Sequence, residues 1–293
     1  MPAGGGRPHS PSPAHGPWGE GVKRVLVIVA HADDMEFMAG GTIAKMAGLG
    51  YEIREVIATN NERGTLDPAW DTRFTAETRR EEARRGATVL GVDPNVEFLG
   101  YEDGRLTETP LNELRERCMR AIRSHRPDVL FTWDAFAPYE EHGDHRSIAL
   151  AATEAASFAH FPLYHPEHTE DGLDPHYVGE RYFFAKSPRD VNKTVDISEQ
   201  IGRKIDALCE HVCQMEMTVM EAQAAVAAAG LDIPFIRDAD PGDYRPLIET
   251  QIKAWAASVG KRGGFAYGEE FRRQRFGGVG RWLPGGEALP DDV

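Results

Sequence analysis

The sequence predicts an α/β fold: a Rossmann-like, mostly parallel sheet with helices on both faces and further strands and helices added at its C-terminal end. Two patterns predict it. Short apolar runs that suit buried strands, such as "KRVLVIVA" (23–30) and "DVLFTWD" (128–134), alternate with amphipathic stretches of helical length. That alternation marks parallel strands joined by right-handed helical crossovers. In addition, three of the strands are followed by clusters of charge, "HADDME", "NNERGT" and "EEHGDH", which a parallel sheet would bring to one rim.

Each element has a local reason. The first strand, 23–30, leads to a helix over 40–50 that Gly50 stops. A second strand spans 52–60, and the polar segment "NNERGTLDPAWDTR" leads to a helix over 75–91, with Ala, Val and Leu at helical spacing beneath a heavily charged outer face. "VEFLGYEDG" supplies a short strand and a turn. A helix over 111–125, ended by Pro127, precedes the strand 128–134. The polar loop "AFAPYEEHGDH" then opens an Ala-rich helix over 146–159. "HYVGERYFFAKS" and "VNKTVDIS" read as two more strands, with Ser198 as the cap of one long helix over 199–230. A helix over 247–259 and "RGGFAYGEEFRRQRF" close the fold. Residues 1–22 read as a flexible Gly/Pro-rich tail and 23–293 as a single α/β domain.

Composition narrows the function. The 33 Lys and Arg against 47 Asp and Glu leave a net charge of −14, which argues against nucleic-acid or anionic-membrane surfaces, since both demand clustered cations. No run approaches the ~20 apolar residues that span a bilayer. The cysteines Cys118, Cys209 and Cys213 are unpaired by motif and read as free thiols of a cytoplasmic protein.

The charged clusters carry chemistry. Catalytic zinc takes three protein ligands from His, Asp or Glu and keeps a fourth position for water. His31, Asp34 and His145 could supply the three, and no cysteine stands in these clusters to build a closed structural site. Asp33, beside Asp34, cannot easily bind the same ion in the same geometry and is the natural general base. His142 could protonate a leaving group or hydrogen-bond an oxyanion, and Asp144 could hold an imidazole in orientation and raise its pKa. Separately, each cluster has a plainer reading: His31 as a hydrogen-bonded strand-end residue, Asp33 and Asp34 as helix caps. Two matched clusters after separate strands favour the metal site.

"AHADDMEF", "NERGT" and "EEHGDHR" resemble the LmbE/PIG-L family of zinc-dependent N-acetylglucosamine deacetylases, whose motifs usually read HPDD and HPDH. "PYEEHGDHR", "EAASFAHFPLYHPEH", "ERYFFAKSPRDVNKTVDIS" and "GFAYGEEFR" extend the likeness to the diacetylchitobiose deacetylase branch. The resemblance implies His31, Asp34 and His145 as ligands of Zn2+, Asp33 as general base, and His142 as the group assisting oxyanion formation or amine departure, with Asp144 as its partner. It further implies that Arg63 and Asp103 contact sugar hydroxyls, that the substrate is a small amino sugar losing its N-acetyl group, and that the protein is a homo-oligomer. Ala32 and Gly143 depart from the family by standing where it has proline, which removes a restraint on φ. Glu36 comes one residue later than the glutamate of the common HPDDE form and is read as lying behind the ligands at most. Arg63 could instead pair with an acid, Asp103 could serve only its turn, Trp133 could stack on a sugar or simply pack, and Tyr139 and Glu140 read as loop residues.

Two competitors remain. A magnesium-dependent phosphotransferase could use Asp33 or Asp34 as nucleophile, although it has no need of "HGDH". A non-catalytic sugar-binding protein could share the fold. A dinucleotide-binding protein is excluded because no G-x-G-x-x-G follows the first strand.

Overall fold

The computed structural model describes residues 21–275 and residue 293; residues 1–20 of the expected tail and 276–292 of the expected domain lie outside the described residues. In chain order the strands are β1 (Arg24–Val29), β2 (Glu52–Thr59), β3 (Glu97–Tyr101), β4 (Val129–Trp133), β5 (Glu180–Phe184), β6 (Lys193–Asp196) and β7 (Gly268–Arg275). The helices are α1 (Asp34–Gly48), α2 (Thr72–Leu90), α3 (Leu111–His125), α4 (Gly143–Phe158), α5 (Glu167–Glu170), α6 (Ile201–Cys209), α7 (Val212–Ala228), α8 (Pro234–Arg237) and α9 (Arg245–Gly263).

The strands form one sheet in the order β3, β2, β1, β4, β5, β7, β6. β1 to β5 are joined by parallel pairings, and β7 runs antiparallel to both β5 and β6. β1 is buried along its length after Arg24 and β4 is buried throughout, as befits parallel strands covered on both faces. Right-handed crossovers put α1 and α2, with α6 packed on them, over one face, and α3 against α4 over the other. Among the described residues no helix is long and apolar enough to cross a membrane, and Cys118, Cys209 and Cys213 are free thiols.

The expected elements are present, α2 and α9 start two or three residues early, and three differences bear on the site. α1 begins at Asp34 rather than at 40. Gly40 and Gly41 do not start it; a Cβ at Gly41 would lie 2.7 Å from the Ile197 side chain, so glycine there lets the helix approach the chain leaving β6. α4 likewise begins at Gly143 rather than at 146, so His145 sits in its first turn. The long helix expected over 199–230 is broken between α6 and α7 at Glu210 and His211, where the fully buried His211 ring lies between Arg79 and Glu36. Ser198 caps nothing: its hydroxyl donates to the Asp196 carboxylate, and Gln200 holds the N-cap position.

The C-terminal additions are tied to α1 by a buried ion pair. Lys204 Nζ of α6 lies 2.6 Å from Glu269 Oε1 of β7 and donates to the Phe37 carbonyl of α1, while Glu269 accepts from the Gly41 and Thr42 amides one turn further on. Lys204→Met leaves that carboxylate buried without its cation and is expected to cost about 3–5 kcal/mol, read by urea unfolding.

Near the amino-terminal ends of β1 and β4, His125 donates to the Val25 carbonyl at 3.0 Å and His176 to the Pro127 carbonyl at 2.7 Å. Burial lowers the pKa of both rings. The unfolded chain therefore takes up protons at higher pH than the folded one, so stability falls as pH drops below about 6.5 and levels off once the folded rings are also protonated. Urea unfolding from about pH 7.5 to 5.5 is expected to show a shallower fall for His176→Gln than for the wild type.

Candidate metal centre and active site

Strand order reverses direction between β1 and β4, and in an open α/β sheet the crevice beyond such a switch point is where ligands bind. His31, Asp33 and Asp34 follow β1, Asn61 to Arg63 follow β2, Asp103 follows β3, and Glu140 to His145 follow β4. All three charged clusters of the sequence, joined by the turn after β3, meet there.

Asp34, the first residue of α1, does not cap its helix. Its Oδ2 accepts the Ala30 and His31 amides, each at 3.0 Å, and the Trp133 indole N–H at 2.9 Å. That leaves Oδ1 facing His145 Nε2 at 3.3 Å. Burial opposes the charged carboxylate, but His145, His31 and the Trp133 donor outweigh it and hold the pKa well below the usual range.

The two histidines are oriented from behind. His145 Nδ1 lies 3.1 Å from Glu140 Oε1, and its ring stacks on Trp133 with centroids 4.0 Å apart. His31 Nε2 lies 3.2 Å from Asp103 and 3.4 Å from Asp144. Carboxylates only accept, so hydrogens on these outer nitrogens would leave the inner ones, His31 Nδ1 and His145 Nε2, with lone pairs. The inner nitrogens are 3.1 Å apart. Two lone pairs at that distance, beside a carboxylate oxygen, repel unless a cation lies between them. Burial works against a charged His31, yet Asp103, Asp144 and Asp34 raise its pKa to about 10.

Donors about 2.0–2.2 Å from a tetrahedral ion are roughly 3.3–3.5 Å from one another. Two separations lie near that spacing: 3.1 Å from His31 Nδ1 to His145 Nε2 and 3.3 Å from His145 Nε2 to Asp34 Oδ1. His142 adds a further nitrogen, within 4.8 Å of ring nitrogens on His31 and His145. His165, Glu167 and His168 form a separate group, but Arg123 and Glu116 occupy both nitrogens of His168.

Asp33 stands at the N-cap of α1 with φ 98° and makes no capping bond, so its carboxylate is left for the crevice. A non-glycine residue is strained there. Its Oδ2 pairs with Arg79 Nη2 at 3.1 Å; burial raises the Asp33 pKa and Arg79 counters it. Arg79 also donates to the Ala32 carbonyl and to Glu82. His142, the N-cap of α4, accepts the Asp144 amide on Nδ1 at 3.2 Å. Burial, then His31 and His145, lower its pKa, leaving a neutral ring whose Nε2 bears the hydrogen.

Several expected roles change. The Asp144 carboxylate does not orient His142: it accepts the Gly104 and Leu106 amides at 2.7 and 3.0 Å and faces His31, because the first turn of α4 points it back toward the β3 turn. Asp103 is buried, faces His31 and accepts from the Arg63 amide. Arg63 is exposed at the rim and paired with Glu102. Glu36 faces His211, 3.4 Å away, on the far side of α1. Gly143 has a local reason, since a Cβ there would meet Thr107 at 2.7 Å.

The contacts of Glu140 and Trp133 with His145, and of Arg79 with Asp33, escaped the sequence reading. Arg79 had a signal: Thr75, Arg79, Glu82, Ala83, Gly86, Ala87 and Leu90 form the buried stripe of α2, and two charges on an apolar stripe are unusual. Glu140 had none, being one acid among several in a polar loop.

Comparison with known proteins agrees with the geometry. The family model described as PIG-L, GlcNAc-PI de-N-acetylase, matches residues 26–156. The chain is 34% identical to a diacetylchitobiose deacetylase of Thermococcus kodakarensis over 252 residues, covering 86% of this chain and 83% of that one. It is 27% identical to a 1D-myo-inositol 2-acetamido-2-deoxy-alpha-D-glucopyranoside deacetylase of Actinosynnema mirum, over 76% and 91% of the two chains. Among solved structures, the N,N'-diacetylchitobiose deacetylase of Pyrococcus horikoshii superposes with a TM-score of 0.70 at 28% identity, covering 86% of this chain and 84% of that one. With the polar clusters at the switch point and one third identity over most of both chains, the protein belongs to the PIG-L/LmbE family of N-deacetylases.

Proposed function

We propose that the protein is a zinc-dependent hydrolase that removes the N-acetyl group from an N-acetylglucosamine-containing small molecule, a chitobiose-like saccharide or a GlcNAc conjugate, releasing acetate and a free amine. The observation that carries this is the convergence of His31 Nδ1, His145 Nε2 and Asp34 Oδ1 beside the ion-paired Asp33. His31, Asp34 and His145 would hold the zinc. Bound there, the metal supplies Lewis acidity toward the amide carbonyl and lowers the pKa of water.

The chain's own groups supply the rest. Asp33 takes the proton of the attacking water, with Arg79 keeping the carboxylate charged and aimed. The His142 N–H donates to the carbonyl oxygen as it gains charge, the kind of prearranged donor that stabilises such a transition state. The proton held by Asp33 then goes to the leaving nitrogen, so amide and water become acetate and amine. Asp103, Asp144 and Glu140 keep the two imidazoles in their metal-binding tautomers. Arg63, at the rim, remains our candidate for a sugar contact.

The competing readings fit less well. Magnesium prefers oxygen ligands, whereas the crevice presents two imidazole lone pairs, and Asp34 has one oxygen saturated by three N–H donors. A binding protein has no use for a strained, ion-paired Asp33. A homo-oligomer would find exposed apolar side chains in Phe136, Tyr139 and Leu163, and a cytoplasmic setting suits the free thiols.

The test is acetate release over a panel of N-acetylated sugars together with bound-metal content; no zinc and no acetate with any sugar would sink the proposal. Asp33→Asn is expected to slow turnover about 10²–10⁴-fold with metal content unchanged. Glu140→Ala, which frees the back of His145, is expected to weaken zinc binding about 10–100-fold in a chelator competition.

A further inference from the structure

The peptide groups of Ala32 sit between His31 and Asp33, and both of its polar atoms are engaged. Its carbonyl accepts from Arg79 and its amide donates to Asn61 Oδ1 at 2.7 Å. Ala32 is wholly buried and Asn61 is 2% exposed. Asn61 has φ 60°, a left-handed conformation that asparagine tolerates but that glycine adopts without strain. Its own groups return to the end of β2: Nδ2 donates to the Thr59 carbonyl at 3.1 Å and its amide to Thr59 Oγ1 at 3.3 Å. The Thr59 hydroxyl in turn donates to the Ala30 carbonyl at 3.0 Å. Asn61 touches none of the candidate ligands, yet it pins the turn that carries them to the neighbouring strand.

We propose that Asn61 is a positioning residue for the metal centre, acting through the Ala32 amide, and that Ala32 and Asn61 are a matched pair. The bond exists only because residue 32 has an N–H. Proline there would restrain φ by its ring, but it would bring a Cδ where 2.7 Å of space is already filled by Asn61 Oδ1. The chain thus restrains its metal-binding turn with a side-chain hydrogen bond from β2 in place of a ring, and the two devices exclude each other.

The inference rests on the metal-site reading, and the experiment separates the two. Zinc affinity is measured by chelator competition, alongside kcat and KM for acetate release, in the wild type, Asn61→Gly, Ala32→Pro and the double variant. Absence of zinc binding by the wild type overturns the metal reading, and this inference with it. With wild-type binding intact, Asn61→Gly and Ala32→Pro are each expected to weaken zinc binding about 10–100-fold and to lower kcat with KM held within about threefold. The double variant, where the ring replaces the hydrogen bond and glycine vacates the space, is expected to recover most of the affinity lost by Ala32→Pro. Wild-type affinity and kcat in Asn61→Gly, or a double variant no better than Ala32→Pro, would overturn the pairing. If Ala32→Pro does not fold, as read by circular dichroism, the zinc affinity of Asn61→Gly decides alone.

Discussion

The arrangement at the crevice depends on one close contact: His31 Nδ1 lies 3.1 Å from His145 Nε2, with Asp34 Oδ1 3.3 Å from the latter. No folded chain holds such a triangle without help. Asp103 and Asp144 hold His31 from one side, Glu140 and the stacked Trp133 hold His145 from the other, and three N–H donors fix Asp34. The supporting groups come from the ends of β1, β3 and β4. The parallel sheet is what brings the loops after these strands to the same few ångströms, where they form a candidate metal centre.

A second layer of buried charge transmits this order outward. Arg79 links Asp33 to Glu82 on its own helix and approaches His211, whose ring interrupts what would otherwise be one helix. The Lys204 and Glu269 pair fastens α6 and β7 to the body of α1. Such pairs are poor sources of net stability, because desolvation offsets their attraction, but they are exacting about geometry. The C-terminal additions therefore serve as a brace for the helix whose first turn carries Asp34, rather than as a separate unit.

Much of the fold was legible in the chain. The apolar runs of β1, β2 and β4 and the periodicity of α2 and α3 can be read directly, since burial on both faces of a parallel strand leaves few polar residues to confuse the pattern. The helix starts were not. "DDME" and "GDH" look like loop because they are polar, yet both are first turns of helices, where acidic side chains suit the local dipole and where a site at the end of a strand requires them. Ser198 misled for the opposite reason: a good capping residue spent its hydroxyl on a neighbouring aspartate.

The candidate donors, the candidate base and the proposed chemistry of the crevice follow from residue types at strand ends, because His, Asp and their spacing limit what an open metal site can be. What tertiary structure alone decided is who stands behind whom. Asp144 and Asp103 both face His31, and Arg79, Glu140 and Asn61 emerged from a charged helix face and two polar loops. These contacts reach as far along the chain as from His31 to Asp144, and no local pattern of a single sequence encodes which acid will be folded against which imidazole.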